Sequence, residues 1–489
     1  MSGDQARVPT FDELLELVRR LTGRVEQLER EKSAGAAALR RERERNLRLQ
    51  EENRKLRESN DRLQQAVKRQ AAPFSKGKPK PNPRRPGRKP VPDYGAKAFR
   101  KPPAKVDETL EAPLPCRCPD CHGEIEFVEV QEQFQEEVTR QPTRRRINVA
   151  IGRCRNCKRR VQGRHALQTS DALGAAASQL GPDAQALAVH LNKDLGLSHG
   201  KIARFFFHGF GITLSRGGSA QLMLRAAKRS EPSYQSILMA VRKSAVVNPD
   251  ETGWKVAGLL QWLWTFVTES ATAYLIRPSR AFEVAAEVLG EDYSGVLGHD
   301  GWSPYDLFSE ATHQQCLEHI LRRCRQILEV ATRGAVRFPR QVKRILQDAL
   351  LLRDRRDEEE ISRHGLSVAI GRLEHRMDRL LTWRRTDPVN ERLAKHLDAH
   401  RNQLFTFLRH PEVEATNWPA EQAIRPAVVN RKVWGGNRTD AGASAQATLT
   451  SVLRTCAQRG RDGIEFLSKT LRARTTRNLP RIFPLPAPS

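Results

Sequence analysis

Long apolar runs are missing from this chain. None approaches the ~18 uninterrupted apolar residues of a spanning helix, and no signal-peptide pattern opens it. A membrane-spanning or exported protein is therefore not expected, and the simplest location is a bacterial-type cytoplasm, at the nucleoid. Acidic residues are in deficit. There are 57 Asp and Glu against 84 Lys and Arg, a net charge of +27 with a pI near 10.3. That excess favours a polyanionic partner, though a membrane surface would also attract it. Cysteine is scarce, with eight in 489 residues. Four of them form two Cys-x-x-Cys pairs, and with no export signal that usage points to metal rather than to a disulfide framework.

Against this background one stretch organises the rest: Asn248-Pro249-Asp250-Glu251-Thr252-Gly253-Trp254. Ser244-Ala245-Val246-Val247 precedes it and reads as a short buried strand, which would leave Asp250 at a strand end. The pattern recurs in Gly295-Val296-Leu297-Gly298-His299-Asp300-Gly301-Trp302, where a short apolar strand runs into Asp300. A third carboxylate, Glu421, opens a helix in Asn417-Trp418-Pro419-Ala420-Glu421-Gln422-Ala423-Ile424-Arg425. Singly, such residues are usually turn formers or helix caps. Together, three carboxylates on two strand ends and one helix suit a pair of hard divalent ions. Mg²⁺ (or Mn²⁺) takes oxygen ligands and keeps several waters, so few protein groups suffice. Two such ions can clamp the attacking and leaving oxygens of a phosphodiester.

These words have a familiar order. Asp250-Glu251-Thr252-Gly253-Trp254, then Asp300-Gly301-Trp302-Ser303-Pro304-Tyr305, then Cys316-Leu317-Glu318-His319-Ile320-Leu321-Arg322-Arg323, then Asn417 to Pro426 and Asn430-Arg431-Lys432 resemble the successive blocks of the insertion sequence 66 family of DDE transposases. Trp418 stands where that family commonly has a second Asn. The resemblance covers most of the chain. It implies a ribonuclease-H-like catalytic domain with Asp250, Asp300 and Glu421 as metal ligands and catalytic residues, an all-α insertion ahead of Glu421, and a Cys-x-x-His near the active site. Cys316 and His319, as i and i+3 one helical turn apart, could share a ligand or a metal; core and surface positions are the other reading, and the resemblance implies structural support near the active site.

The remaining segments read as follows. Residues 11–67 form one long helix with Leu14, Leu21, Leu28, Leu49, Leu56 and Leu63 in one heptad position. Val18, Val25, Leu39, Val67 and Asn46, Asn53, Asn60 occupy the other. Leu at d with Asn at a predicts a parallel two-stranded coil, hence a homodimer, interrupted at Lys32, Gly35 and Glu42. Residues 68–105 hold 13 Lys or Arg and nine Pro against one acidic residue, and cannot bury a core. Within them Arg84, Arg85, Arg88 and Lys89 flank Pro86-Gly87, either as a loose AT-hook for the minor groove or as a plain phosphate tether. Cys118, Cys121, Cys154 and Cys157 make two knuckles suited to one structural Zn²⁺. Alternation at Ile125, Phe127, Val128 and Val130 and at Ile147, Val149 and Ile151 predicts the strands of a zinc ribbon.

Three helices follow over residues 181–229, the third capped by Ser215, in a helix-turn-helix pattern. Its recognition helix would show Arg216, Ser219, Gln221 and Arg225 to the major groove. Further on, Arg425, Arg431 and Lys432 are candidates to hold the phosphates of a cleaved strand.

The predicted fold class is thus a multidomain α+β chain. It comprises a coiled coil at 1–70, a basic Pro-rich linker at 71–110, a zinc ribbon at 111–165 and a helix-turn-helix at 170–235. A ribonuclease-H-like α/β catalytic domain follows at 240–435, with an α-helical insertion at about 330–412, then C-terminal helices and a tail at 436–489. The expected activity is transposition: binding terminal inverted repeats, cleaving transposon ends and joining the 3′-hydroxyl to target DNA. The expected cofactors are two Mg²⁺ per active site and one structural Zn²⁺, with accessory transposition proteins as further partners. The alternatives are a non-catalytic DNA-binding regulator built from the same modules, or a metal-dependent nuclease without strand transfer.

Overall fold

The computed structural model describes residues 15–28, 30, 32, 42, 44–53, 102–135, 141–165, 167–173, 179–473 and 475–483. The chain divides into two compact units, Met1–Phe134 and Gln135–Ser489.

In the first unit, residues 15–28 and 44–53 are helical. Val18, Leu21, Val25, Leu28 and Leu49 all stand exposed along them. Leu14, Leu39, Leu56, Leu63, Val67 and Asn60 lie outside the described residues, as do Arg84, Arg85, Arg88 and Lys89 of the linker. The first cysteine knuckle closes through His122 N–H donating to the Cys118 carbonyl at 2.9 Å and Cys118 N–H donating to the Gly123 carbonyl at 3.0 Å. The ribbon strand expected around Ile125–Val130 is not formed, and Phe127, Val128 and Val130 are exposed. Alternation alone does not make a strand where no apolar layer lies beneath it.

The second unit opens with a two-stranded hairpin, β1 (Ile151–Arg153) and β2 (Arg160–Gln162), paired antiparallel with Ile151 opposite Gln162. It presents the second knuckle, closed by Lys158 N–H to the Cys154 carbonyl at 3.0 Å. Ile147 and Val149 precede the strand and are not part of it.

Helices α1 (Pro182–Lys193), α2 (His199–Phe210) and α3 (Arg216–Arg242) come next. Ser198 and Ser215 cap the second and third with their side chains, accepting from the Lys201 and Gly218 amides. Gly211, at φ 62°, ends α2 in the left-handed conformation. The expected boundary at 235–240 falls inside α3, a 27-residue helix that carries straight on to the sheet. Ala186, Ile202, Phe206, Leu222, Ile237 and Val241 belong to the same apolar cluster as Trp264, Phe266 and Leu297. These helices are therefore built into the sheet domain's core and are not a separately packed module.

The sheet holds β3 (Val246–Val256), β4 (Leu259–Val267), β5 (Thr272–Arg277), β6 (Val296–His299) and β7 (Thr312–Gln315) in the order β5-β4-β3-β6-β7. The first three form an antiparallel meander, and β6 and β7 run parallel to β3. A tight turn at Ala257 and Gly258, with φ of 51° and 82°, joins β3 to β4. Side chains along β4 alternate between layers: Trp264 and Phe266 face the α3 side, while Leu263 and Val267 face a second cluster. That second cluster contains Ala420, Ala423, Ile424 and Ala427. Helices thus cover both faces, as strands with two buried faces require.

After α4 (Phe282–Leu289), β6 and β7, the chain is helical through α5 (Leu317–Val330), α6 (Arg337–Asp357), α7 (Arg363–Leu381), α8 (Pro388–Ala399) and the one-turn α9 (Thr406–Arg409). Leu346, Met377 and Leu397 share one apolar cluster at the heart of this insertion. The sequence from His313 to Leu328 also reads as amphipathic and basic, but the helix starts only at Leu317. Thr312-His313-Gln314-Gln315 pairs as β7, an edge strand whose polar sequence hides it from any apolar pattern. Helices α10 (Trp418–Trp434), α11 (Asp440–Gln458) and α12 (Gly463–Arg472) close the unit.

Candidate active site

Asp250 lies in the middle of β3, not at a strand end, because β3 runs on to Val256 and its hairpin with β4. What ends near Asp250 is the parallel pairing with β6, confined to Val246–Val296 and Val247–Leu297. The next residue, Asn248, is buried and puts its side-chain amide against the Gly298 carbonyl at 3.3 Å. A Cβ at Gly298 would sit 2.4 Å from that amide nitrogen, so only glycine admits this wedge. The wedge separates two parallel strands at their carboxyl ends, where open α/β sheets form their ligand crevices. Asp250 flanks this opening, and Asp300 directly follows β6.

The loop after Asp300 is fixed tightly. Asp300 Oδ1 accepts from the Trp302 amide at 3.0 Å. Gly301 has φ 87°, and a Cβ there would meet Gln315 Oε1 at 2.5 Å and His396 Cε1 at 2.9 Å. His299 is buried, and its Nδ1 accepts from the Gly301 amide at 3.2 Å.

Glu421 stands in the first turn of α10. Asn417 pins the start of that helix. Its Nδ2 donates to the Pro249 carbonyl at 2.8 Å, and its amide donates to Cys316 Sγ at 3.1 Å. The residue preceding Asp250, the cap of α5 and the Glu421 turn are thereby tied together. Opposite Glu421 Oε1 stand His319 Nε2 at 3.8 Å and Arg322 Nη2 at 3.7 Å.

The electrostatics show that the three carboxylates share one neighbourhood. Burial first, then the negative charges of Glu251 and Asp300 and, more weakly, Glu421, push the Asp250 carboxyl up to about 7. Glu251, a fourth acid beside the three, has a side chain only 2% exposed. Burial raises its pKa, while Tyr305 and Arg280 oppose the rise. Tyr305 donates its hydroxyl to Glu251 Oε2 at 2.6 Å, and Arg280 Nε donates to Oε1 at 2.7 Å. The Arg280 guanidinium stacks 3.8 Å from the Trp302 ring and 4.8 Å from the Trp262 ring. Tyr305 and Trp302 were already present in the Asp300 motif, so that signal existed in sequence; Arg280 carried none.

The nucleic-acid candidates fare unevenly. Arg216, Gln221 and Arg225 are exposed on α3. Ser219 is fully buried and hydrogen-bonds His199 Nδ1 at 3.0 Å, so it cannot present itself to a groove. Its place on the inner face follows from the helical period, since Leu222, Met223 and Ala226 share that face. Arg425 and Lys432 are exposed on α10. Arg431 is instead turned inward, donating to Thr252 Oγ1 at 3.2 Å and to the Gly253 carbonyl. That clasp between α10 and β3 replaces the phosphate contact expected of it. The two cysteine knuckles are formed individually, as described above.

A mixed sheet covered by helices on both faces, with acidic side chains at the edge of a splayed strand pair, defines an α/β domain with an acidic crevice. The model of the Transposase IS66 family matches residues 177–445, more than half of the chain. The chain belongs to that family. An uncharacterized protein of Sinorhizobium fredii, y4qI, is 22% identical over 291 residues, 53% of each chain. The chain thus spans about half the length of this curated relative. No helix among the described residues is long and apolar enough to cross a membrane.

Proposed function

We propose that this chain is a DNA transposase that binds terminal inverted repeats, cleaves at transposon ends and joins the 3′-hydroxyl to target DNA at Asp250, Asp300 and Glu421. One observation carries the reading. Asn417 ties the carbonyl of the residue before Asp250, at 2.8 Å, to the start of the helix that carries Glu421, Asp300 directly follows the neighbouring strand, and burial with the charges of Glu251, Asp300 and Glu421 raises the Asp250 carboxyl to about 7. A cluster of mutually repelling carboxylates in a half-buried crevice is a donor set that hard divalent ions fit. The sheet order β5-β4-β3-β6-β7, with its antiparallel meander and two parallel strands, further supports a ribonuclease-H-like catalytic domain.

In this reading Asp250, Asp300 and Glu421 would hold two Mg²⁺ or Mn²⁺. When bound, such ions supply Lewis-acid activation of the attacking oxygen and stabilise the departing one. The chain's own residues set the geometry. Glu251, locked by Arg280 and Tyr305, fixes the backbone beside Asp250. Asn417 holds the Glu421 turn against β3. Arg322, Arg425 and Lys432 border the crevice or its helix with positive charge for the phosphodiester.

Around this site, Cys118, Cys121, Cys154 and Cys157 would bind one structural Zn²⁺. Residues 11–67 would pair two protomers so that two ends meet. The linker residues Arg84, Arg85, Arg88 and Lys89 would tether DNA, and Arg216, Gln221 and Arg225 would read it. Incubating the full chain and Mg²⁺ with DNA carrying the inverted repeats that flank its coding locus tests the proposal. Nicked ends and joined products are expected. Repeat binding with no cleavage would favour a non-catalytic regulator, and cleavage without joining a simple nuclease.

A further inference from the structure

Beside the carboxylates lies a donor set of different chemistry. Cys316 Sγ, a ring nitrogen of His319 and a carboxylate oxygen of Glu421 all lie within 4.8 Å of one another. Among the described residues this is the one group of three His, Cys, Asp or Glu gathered so closely. Asp250 and Asp300 stand outside it. A tetrahedral zinc with ordinary bond lengths needs donors about 3.4–3.6 Å apart. His319 Nε2 and Glu421 Oε1, at 3.8 Å, are close to that already, and side-chain rotation supplies the rest.

Each donor is prepared for a ligand. Cys316 occupies the N-cap position of α5, with its sulfur making no capping bond to that helix. Burial pushes its thiol up, and the Asn417 amide is the largest influence opposing that rise. That amide donates to the sulfur, and both it and the helix dipole favour a thiolate once a cation arrives. The His319 ring makes no hydrogen bond among the described residues, and its Nδ1 is buried without a partner. Nε2, the nitrogen that faces Glu421, therefore has no hydrogen-bond partner to give up when it takes a cation. His319 and Glu421 are 27% and 37% exposed, which leaves an open face for a water ligand and for entry. Among the described residues Arg322, 3.7 Å from Glu421 Oε1, is the arginine paired with it, and its side chain is 47% exposed and free to swing out.

We infer that Cys316, His319 and Glu421 form a second metal site, selective for Zn²⁺ and similar borderline-soft ions, that shares Glu421 with the Asp250–Asp300 crevice. Thiolate and imidazole select zinc or cobalt over magnesium. Binding releases the Cys316 proton to solvent and takes one carboxylate oxygen from the acidic crevice. Zinc at micromolar level therefore inhibits Mg²⁺-dependent chemistry, a consequence that rests on the proposed function, whereas the metal site itself does not.

The test uses the full chain loaded with zinc alone, dialysed and counted, beside Cys316→Ser and His319→Ala. The serine hydroxyl still accepts from the Asn417 amide, so the fold is kept, which thermal melts verify. Wild type should retain one more zinc per chain than either variant. With cobalt in place of zinc, the thiolate-to-cobalt absorption should weaken in Cys316→Ser. Equal zinc counts, or an unchanged cobalt spectrum in a folded Cys316→Ser protein, would overturn the site. In magnesium, zinc should suppress end joining at least tenfold more in wild type than in Cys316→Ser. Zinc retained through Cys316 without that suppression would leave the metal site standing and overturn the sharing of Glu421.

Discussion

Replacing Asp250 with Asn isolates the strain stored in the acidic crevice. The Asp250 carboxyl sits at about 7 in the folded chain against an ordinary 3.8. A rise of that size corresponds to at most about 4 kcal/mol. The side chain is half-buried, and solvent relaxation trims the figure toward roughly 2–3 kcal/mol. The sign follows from proton counting. Below about pH 4 both folded and unfolded chains hold the proton, and its stabilising contribution is complete. Between pH 4 and 7 the folded chain binds more protons than the unfolded one, so stability falls as pH rises, and above 7 the loss is complete. The amide of the Asp250→Asn variant cannot ionise, and its side-chain oxygen can still accept from the Glu251 amide as Asp250 does at 2.8 Å. In magnesium-free buffer, urea unfolding of the two proteins at pH 4 and pH 8 should show the variant gaining roughly 2–3 kcal/mol relative to wild type as pH rises. Magnesium at pH 8 should then stabilise wild type more than the variant. Stability curves that stay parallel from pH 4 to 8 would refute the claim that burial and neighbouring charge act on Asp250.

Further outcomes follow from the same structure. Tyr305→Phe removes a donor from a buried carboxylate and should destabilise the chain by about 1–3 kcal/mol in chemical denaturation at pH 7; no measurable loss would mean that Glu251 does not depend on that hydroxyl. Replacing Cys118 or Cys154 with Ser should release the ribbon's zinc, read by metal analysis, and a full zinc complement in both variants would remove the four-cysteine site. DNA affinity should fall steeply with salt, and changing Arg84, Arg85, Arg88 and Lys89 should flatten that slope for all DNA alike, while Gln221→Ala should reduce only the preference for the repeat; identical behaviour of the two would abolish the division between tether and reader. Charges introduced at Leu21 and Leu49 should convert a dimer into a monomer by sedimentation of the full chain, and an unchanged mass would exclude the coiled coil as the dimer contact.

The candidate site residues are legible as candidates because they sit in compact words. Asp250, Asp300 and Glu421 were each marked by an apolar strand or a helix start immediately beside them. Tertiary facts were not legible. Pro249 reads as a breaker that leaves Asp250 at a strand end, yet β3 continues, paired after Val247 with β4 and, at Val256, bridged to Asn437. β7 was missed because a polar edge strand has no periodic signature. The helix-turn-helix was read as a separate domain because its caps and turn are local features. That α3 runs on into the sheet core depends on Ile237 and Val241 packing with residues far along the chain. Ser219 and Arg431 look like DNA contacts by residue type alone, and only their neighbours reveal that they face inward. The Glu251–Arg280–Tyr305 group joins three separated segments, which no single stretch of sequence announces.

In the proposed function Asp250, Asp300 and Glu421 act as one catalytic unit. The most direct measurement is strand transfer by Asp250→Ala, Asp300→Ala and Glu421→Ala proteins in Mg²⁺, with DNA binding and melting recorded on the same preparations. Each folded variant should bind the repeats like wild type and lose both cleavage and joining. Mn²⁺ should replace Mg²⁺ in the wild type, and Ca²⁺ should bind with little reaction. A folded, DNA-bound Asp250→Ala or Glu421→Ala protein that still joins transposon ends to target would contradict the account.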